Sequence, residues 1–347
     1  MIPLADIQRE SDWQAQLRNV VSSGEELLSL LGINAAASGF STLASADFPL
    51  KVPHSFVSRM RPGDSRDPLL LQVLSHRAEL LQVPGFSDDP VGEVGDAISH
   101  RGVIQKYAGR ALLILSGGCA INCRYCFRRH FPYSDNRNSR DEWLQALEHI
   151  ADDPSISEVI LSGGDPLLVS DHQLAKLVSQ LAAIPHLKRL RVHSRMPIVL
   201  PARVTDGLLD ALSGTRLQPV MVIHSNHGNE VNEEVRVALQ KMRDRNIPLL
   251  NQAVLLADIN DNVQALADLS ERLFEAGVLP YYLHLLDKVR GAAHFEVEQN
   301  TGLALIAELE NLLPGYLVPR LVREEAGQLA KVRVASSTVT AEPLGGA

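Results

Sequence analysis

The chain has 347 residues, 45% of them hydrophobic, which is enough to bury a large core as one big domain or two. A formal net charge of -8 with a pI near 5.8, and no block of Lys or Arg, speaks against a general nucleic-acid binder. The opening MIPLADIQRE has no basic segment followed by an apolar core, no apolar run is long enough for a bilayer, and the only three cysteines lie close together, so a cytoplasmic globular enzyme without disulfides or membrane spans is expected.

Along the chain, helical stretches near 12–31 and 55–60 and a Pro/Gly-rich extended region over 84–102 form an accessory region, 1–105. A pattern then repeats: a short β-rich apolar run, a polar or glycine-containing turn, and a segment of helical periodicity. Six strands are predicted over 110–115, 158–161, 189–193, 220–224, 249–255 and 279–285, with helices over 141–151, 172–183, 204–212, 230–245, 262–276 and 299–312. Such alternation means parallel βα units, and six are too few for a closed eight-stranded barrel. The expected fold is therefore α/β, a partial (βα)6 TIM-type barrel over 106–315. Residues 316–347 lose the regularity and end in AEPLGGA, which reads as a C-terminal extension with a flexible tail.

Polar residues gather at or just after the strand ends: the cysteines, Ser162-Gly163-Gly164-Asp165, Arg195, His224 with Asn226, Gln252 and Asp287. In a barrel these would share one mouth, although each alone reads equally well as a turn or cap residue; Asp171 and Thr205 read as caps.

Cys119, Cys123 and Cys126 sit within eight positions in the run GGCAINCRYCFRRH. Three thiolates can hold three irons of a [4Fe-4S] cube and leave the fourth open to a ligand, whereas an electron-transferring cube takes four Cys. The alternative is structural zinc, with His130 completing a Cys3His tetrahedron. Against zinc, a strand-like run leads straight into the loop, whereas zinc knuckles sit in small, core-poor modules. In LSGGDPL, backbone without side chains can approach a ligand closely, but a Gly-Gly turn from strand to helix is by itself more often structural.

The spacing Cys-x3-Cys-x2-Cys, with Tyr125 before the last Cys, resembles the signature of the radical S-adenosylmethionine (SAM) enzymes. In that setting Ser162, Gly163, Gly164 and Asp165 resemble the segment that holds the methionyl amino group. The runs KYAGRALLILSGGCAINCRYCFRRHFPY, VILSGGDPL, RVHSRMPIVLPAR, HSNHGNE, LLNQAVLLADIND, PYYLHLLDKVRGAAHF and GYLVPRL resemble lysine 2,3-aminomutases across nearly the whole chain, and most closely their elongation-factor-P-modifying branch.

The resemblance implies three cofactors: a [4Fe-4S] cluster, SAM as radical source and pyridoxal 5'-phosphate (PLP) as carrier of the migrating amino group. Of the chain's lysines, Lys331 matches the family's PLP lysine, although its approach, AGQLAKVRV, lacks the glycine-rich character of enzymes acting on free lysine; Lys51, Lys176, Lys188 and Lys241 read as surface. Lys106, Tyr107 and Arg110 match a segment that packs against PLP and holds its phosphate, with an ordinary basic pair beside a strand as the alternative. Arg195 is placed as a cofactor contact, and His224 and Gln252 as SAM contacts or else as buried hydrogen-bonding residues.

Arg128 matches the residue that receives the substrate α-carboxylate. Asp287 matches one acid for the lysine ε-ammonium, and Glu324 stands where the free-lysine enzymes have Asp. Two acids suit lysine better than glutamate. The alternatives are an ion pair of Asp287 with Lys288 or Arg290, and a solvated helix end for Glu324.

The implied reaction is isomerisation of L-lysine to (R)-β-lysine, started by one electron from a flavodoxin- or ferredoxin-type donor. The branch implies a product destined for a lysine of elongation factor P through a separate ligase. A radical SAM enzyme without PLP and a zinc-binding protein are the competing readings.

Overall fold

The computed structural model describes residues 12–93, 98–100, 102–133, 140–328 and 330–335. The expectations for MIPLADIQRE, for AEPLGGA and for part of the extended region fall outside these residues.

The predicted accessory helix over 12–31 is two helices, α1 (Trp13–Arg18) and α2 (Gly24–Leu31), with Asp12 and Ser23 as side-chain N-caps. Between them, β1 (Val20–Val21) pairs antiparallel with β2 (Val52–Pro53). The predicted 55–60 helix is a single turn, His54–Val57.

The main sheet has ten described strands. They are β3 (Ile98–His100), β4 (Val103–Ile104), β5 (Arg110–Ser116), β6 (Glu158–Gly163), β7 (Arg189–Ser194), β8 (Gln218–Ile223), β9 (Leu249–Val254), β10 (Leu279–His284), β11 (Arg320–Arg323) and β12 (Val332–Arg333). From β5 to β11 every neighbour is parallel. The intervening helices are α3 (Arg140–Asp152), α4 (Asp171–Ala182), α5 (Asp206–Ser213), α6 (Glu233–Asp244), α7 (Val263–Glu275) and α8 (Gln299–Leu312). The strands run in sequence order across the sheet, and β3 and β12 are its edges, so the described sheet is an open, partial barrel.

The parallel stretch has seven strands rather than six. After α8 the chain returns to the sheet as β11, whose Leu321 and Val322 are buried beside β10 while the flanking Arg320 and Arg323 are exposed. Two apolar residues between charges give no periodicity to read, so the return is hidden in the sequence. Antiparallel β3 and β4 lie beyond β5 at one edge, and antiparallel β12 beyond β11 at the other.

Alternation along the strands decides which residues face the barrel interior. In β7, Leu190, Val192 and Ser194 are buried while Arg189, Arg191 and His193 keep partial exposure. Leucines of α4 and α5 share one continuous core with Leu190 and Val192, so the other face points to the cavity. Thr205 caps α5 as expected, accepting from the Leu208 amide at 3.0 Å. Asp171 is not a cap. Ser170 caps α4, and Asp171 instead accepts from the Thr205 hydroxyl at 2.6 Å and pairs with Arg203 at 2.7 Å.

The accessory region packs on the cysteine loop through a buried ion pair. Glu79 accepts from Arg124 Nε at 2.9 Å and from Arg129 Nη1 at 3.0 Å, and its side chain is 1% exposed. Removing this carboxylate leaves two guanidinium groups buried without their shared counter-charge. Glu79→Ala is therefore expected to cost about 3–5 kcal/mol in chemical denaturation, and a loss under about 1 kcal/mol would show the pair to be dispensable.

Candidate active site

A cavity of about 350 Å3 occupies the barrel interior, a size suited to small ligands. It is ringed by alternate positions of successive strands: Arg110 and Leu112, Ile160 and Ser162, Arg191 and His193, Val222, Gln252 and Val254, Tyr282 and His284. The expectation of one mouth at the strand C-termini needs enlarging. The lining reaches back along the strands to Arg110, the first residue of β5, and takes in Lys106, Tyr107, Glu324 and Lys331 from outside the six predicted units.

The cysteine loop leaves β5 under tight constraint. Gly163, at φ +121°, and Gly164 close β6 against this loop; a Cβ on Gly164 would lie 2.1 Å from the Gly118 carbonyl oxygen. The Gly164 amide donates to Ser116 O at 2.7 Å and the Asp165 amide to Gly118 O at 2.8 Å, so these glycines bring the Gly-Gly turn against the loop. From the accessory region, Lys51 Nζ donates to Cys119 O at 2.8 Å, Lys51 O accepts from the Asn122 amide at 3.0 Å, and Gln72 O accepts from the Arg124 amide at 2.9 Å. Lys51 is thus a loop contact and not the surface lysine expected.

All three cysteines line the cavity as free thiols. Burial, reinforced by the neighbouring thiols, pushes Cys119 well above its usual value and Cys126 up to about 11. As thiols they would be protonated and unreactive at neutral pH, whereas iron coordination replaces those protons. Arg195 Nη1 donates to Cys123 Sγ at 2.8 Å. The same guanidinium holds Glu230 at 2.9 Å and Gln72 at 2.6 Å, which turns Arg195 toward the cluster ligands.

Among the described residues no three Cys, His, Asp or Glu side chains converge as ligands of a single ion. His130, needed for the zinc reading, faces elsewhere, with Nε2 3.3 Å from Arg290 O and 3.8 Å from Asp88. A cube needs no fourth protein ligand, since three of its irons are bound one per cysteine.

Asp165 is drawn into the scaffold. Its carboxylate accepts from Ser194 Oγ at 2.8 Å and from the amides of Leu167, Arg195 and Met196 at 3.0, 2.9 and 3.2 Å. Burial nevertheless pushes it up to about 6, against those donors. Asp165 therefore joins the ends of β6 and β7, and the glycine run meets the cavity mainly as backbone.

Arg128, expected to receive the substrate carboxylate, is already engaged by the protein's own groups. Nε and Nη2 donate to the two oxygens of Glu93 at 2.6 and 3.0 Å, and Nη1 donates to Ser162 Oγ and Gly163 O, both at 3.0 Å. A guanidinium 8% exposed needs a carboxylate, and Glu93 supplies it. One Nη2 hydrogen is left over from these bonds. Burial opposes ionisation of Glu93, but Arg128 overcomes it and holds the carboxyl below its usual range.

Lys106, expected on a phosphate, donates to Val91 O at 2.9 Å and lies 3.5 Å from Glu93 and 3.6 Å from Glu324. The Tyr107 hydroxyl donates to Glu324, and Arg110 covers the Tyr107 ring at 4.9 Å. Arg110 Nε is buried with no partner among the described residues, so it is an open donor for an anion.

Lys331 lines the cavity, and its Nζ donates to Glu324 Oε2 at 2.5 Å. Glu324 is no solvated helix end: despite burial, Lys331 and the Tyr107 hydrogen bond keep it below the usual carboxylate range. Asp287 faces the same cavity. Lys288 pairs with Glu296 at 2.7 Å and Arg290 with Asp88 at 2.6 Å, so neither neighbour claims Asp287. Burial pushes Asp287 up to about 7, with Glu324 and Glu93 adding to it against Lys331's opposing pull.

His224 Nε2 lies 3.0 Å from the Tyr125 hydroxyl, and burial followed by Arg195 lowers it to about 3, so it is a neutral imidazole. His193 and His284 are held well below their usual value by burial, and the Nε2 of each is buried without a partner among the described residues. Gln252 also lines the cavity. Sequence reasoning missed Glu93, Arg191, His193 and His284. A polar stripe at alternate positions of RLRVHS and LPYYLH is the signal that marks the last three.

Residues 113–270 match the radical SAM superfamily profile. The chain is 51% identical over 321 residues to the L-lysine 2,3-aminomutase of Escherichia coli (strain K12), covering 92% of this chain and 93% of that one. It is 46% identical over 322 residues to the L-lysine 2,3-aminomutase of Haemophilus influenzae, covering 93% and 95%. It is 32% identical over 334 residues to that of Clostridium subterminale, covering 96% and 80%.

The loop geometry separates cube from zinc directly. His130→Ala should keep wild-type iron and sulfide after anaerobic purification, while Ala at Cys119, Cys123 or Cys126 should lose most of both; loss of metal in the His130 variant would restore the Cys3His site.

Proposed function

We propose, for a chain that belongs to the L-lysine 2,3-aminomutase family of radical SAM enzymes, that this cavity isomerises L-lysine by moving its α-amino group to the β-carbon. The observation that carries the reading is the joining of two chemistries in one space: three cysteines and Lys331 with Glu324 and Asp287 line the same cavity. When bound, the cluster and SAM supply the radical that takes hydrogen from the β-carbon, and PLP carries the amino group as it moves.

The chain's own residues bind, orient and shield. Lys331 is the amine to which PLP would attach, and the open Arg110 Nε suits its phosphate. Asp287 and Glu324 are the acids for the ε-ammonium, with Tyr107 fixing Glu324 from its other oxygen. Arg128, locked by Glu93, offers its remaining N–H to the α-carboxylate as a fixed point rather than a mobile fork. Leu112, Ile160 and Val222 supply apolar wall between these polar groups, which keeps water from the reacting carbon. Neutral His193, His224 and His284 add hydrogen-bonding capacity without charge.

The product we assign is (R)-β-lysine, made in the cytoplasm with a flavodoxin- or ferredoxin-type reductant and passed to elongation factor P by a ligase. This finer reading rests on the likeness of the quoted segments to the branch that serves that factor. No helix among the described residues is long and apolar enough to cross a membrane.

Anaerobic incubation with L-lysine, SAM, PLP and dithionite, followed by chromatography, should give β-lysine from wild type and none from Lys331→Ala, with L-glutamate untouched. Lys331→Ala should also lose the visible absorption that PLP gives the wild type. Glutamate turnover, or β-lysine from the variant, would reject the assignment.

Asp287 sets a pH dependence. It must be ionised to hold an ammonium, so below about 7 lysine affinity should fall relative to Asp287→Asn, by up to about tenfold per pH unit. Titration of lysine's own amino groups cancels in that ratio. A ratio flat between pH 5 and 8, measured by lysine binding to the PLP-loaded protein, would remove Asp287 from the substrate site.

A further inference from the structure

The cations that touch the cysteine loop differ in one respect. Arg124 and Arg129 share Glu79, Arg128 pairs with Glu93 at 2.6 Å, and Arg195 pairs with Glu230 at 2.9 Å. Each of those guanidinium groups has at least one carboxylate within ion-pair distance, Arg129 also reaching Asp47 at 3.5 Å. Lys51 is the exception: its ammonium donates to the Cys119 carbonyl at 2.8 Å, and it has no carboxylate within ion-pair distance among the described residues.

Three thiolates on a [4Fe-4S]2+ core leave a net charge of one minus, and one-electron reduction raises it to two minus. An uncancelled cation beside one ligand therefore favours the reduced state over the oxidised, whereas a cancelled pair favours neither strongly. The backbone of Lys51 is fixed as well, since its carbonyl accepts from Asn122 within the loop at 3.0 Å.

We propose that Lys51, from the accessory region, is a positioning residue for the iron-sulfur site whose unpaired charge raises the cluster's reduction potential. The one-electron reduction is the step it assists, with the external reductant supplying the electron. The inference rests on the cluster and is independent of the lysine isomerisation, because the potential can be read without lysine or PLP.

The test is an EPR-monitored redox titration of the anaerobically purified full chain, without substrate, in wild type, Lys51→Gln and Lys51→Arg, each with iron and sulfide content and thermal melting measured alongside. Lys51→Gln keeps a donor for the Cys119 carbonyl but loses the charge; Lys51→Arg keeps both. Lys51→Gln should titrate at a more negative midpoint, leaving about tenfold less cluster reduced at a fixed poise, or about 59 mV for one electron. Lys51→Arg should stay near wild type. Equal midpoints in all three proteins would overturn the proposal, as would an equal fall in both variants, because the tether or the local shape would then matter and the charge would not. If Lys51→Gln retains too little cluster to titrate, Lys51→Met and Lys51→Arg are compared after reconstitution with iron and sulfide. A more negative midpoint in Lys51→Met alone then supports the proposal, and equal midpoints in the two variants overturn it.

Discussion

Burying a loop that holds Arg124, Arg128 and Arg129 among three cysteines demands carboxylates, and those that pair with these guanidinium groups come from distant parts of the chain. Glu79 is 45 residues before Arg124, Glu93 is 35 before Arg128, and Glu230 is 35 after the Arg195 that touches Cys123. Each guanidinium would be costly to bury alone, and removing either partner of such a pair leaves the other stranded. The cluster loop is therefore shaped from outside, by the accessory region before it and by the sheet after it. Lys51, Gln72 and the Gly163-Gly164 turn complete that cradle through bonds to its backbone.

The same constraint orders the cavity. Parallel strands with helices outside turn every second residue inward, and here the inward set is polar enough to hold charged ligands yet interrupted by Leu112, Ile160 and Val222. The charges within it are linked in a chain of ion pairs: Arg128 to Glu93, Glu93 to Lys106, Lys106 to Glu324, and Glu324 to Lys331. Asp287 lies beyond that chain with no ion pair among the described residues, and burial lifts it to about 7 against the pull of Lys331.

The helices and strands of the six βα units are legible because their apolar residues keep period and turn residues separate them. Thr205 is legible as a cap, whereas Asp171 is not distinguishable from Ser170 without Arg203 in view. The seventh parallel strand is too short to show a pattern. The cysteines announce themselves by spacing and Lys331 through resemblance, but Glu93 and Lys51 do not, since their meaning comes from contacts made 35 and 68 residues away. Arg128 shows the limit most clearly. Its residue type fits a carboxylate, and in the fold that carboxylate is first the protein's own.

In the proposed function one cavity brings a three-cysteine cluster and a PLP lysine to the same substrate. Anomalous diffraction from crystals grown anaerobically with PLP and SAM tests it most directly. The expected result is a four-iron cluster held by Cys119, Cys123 and Cys126, with continuous density from Lys331 Nζ to the pyridine ring across the same cavity. A single zinc at the loop, or PLP attached to another lysine outside the cavity, would contradict it.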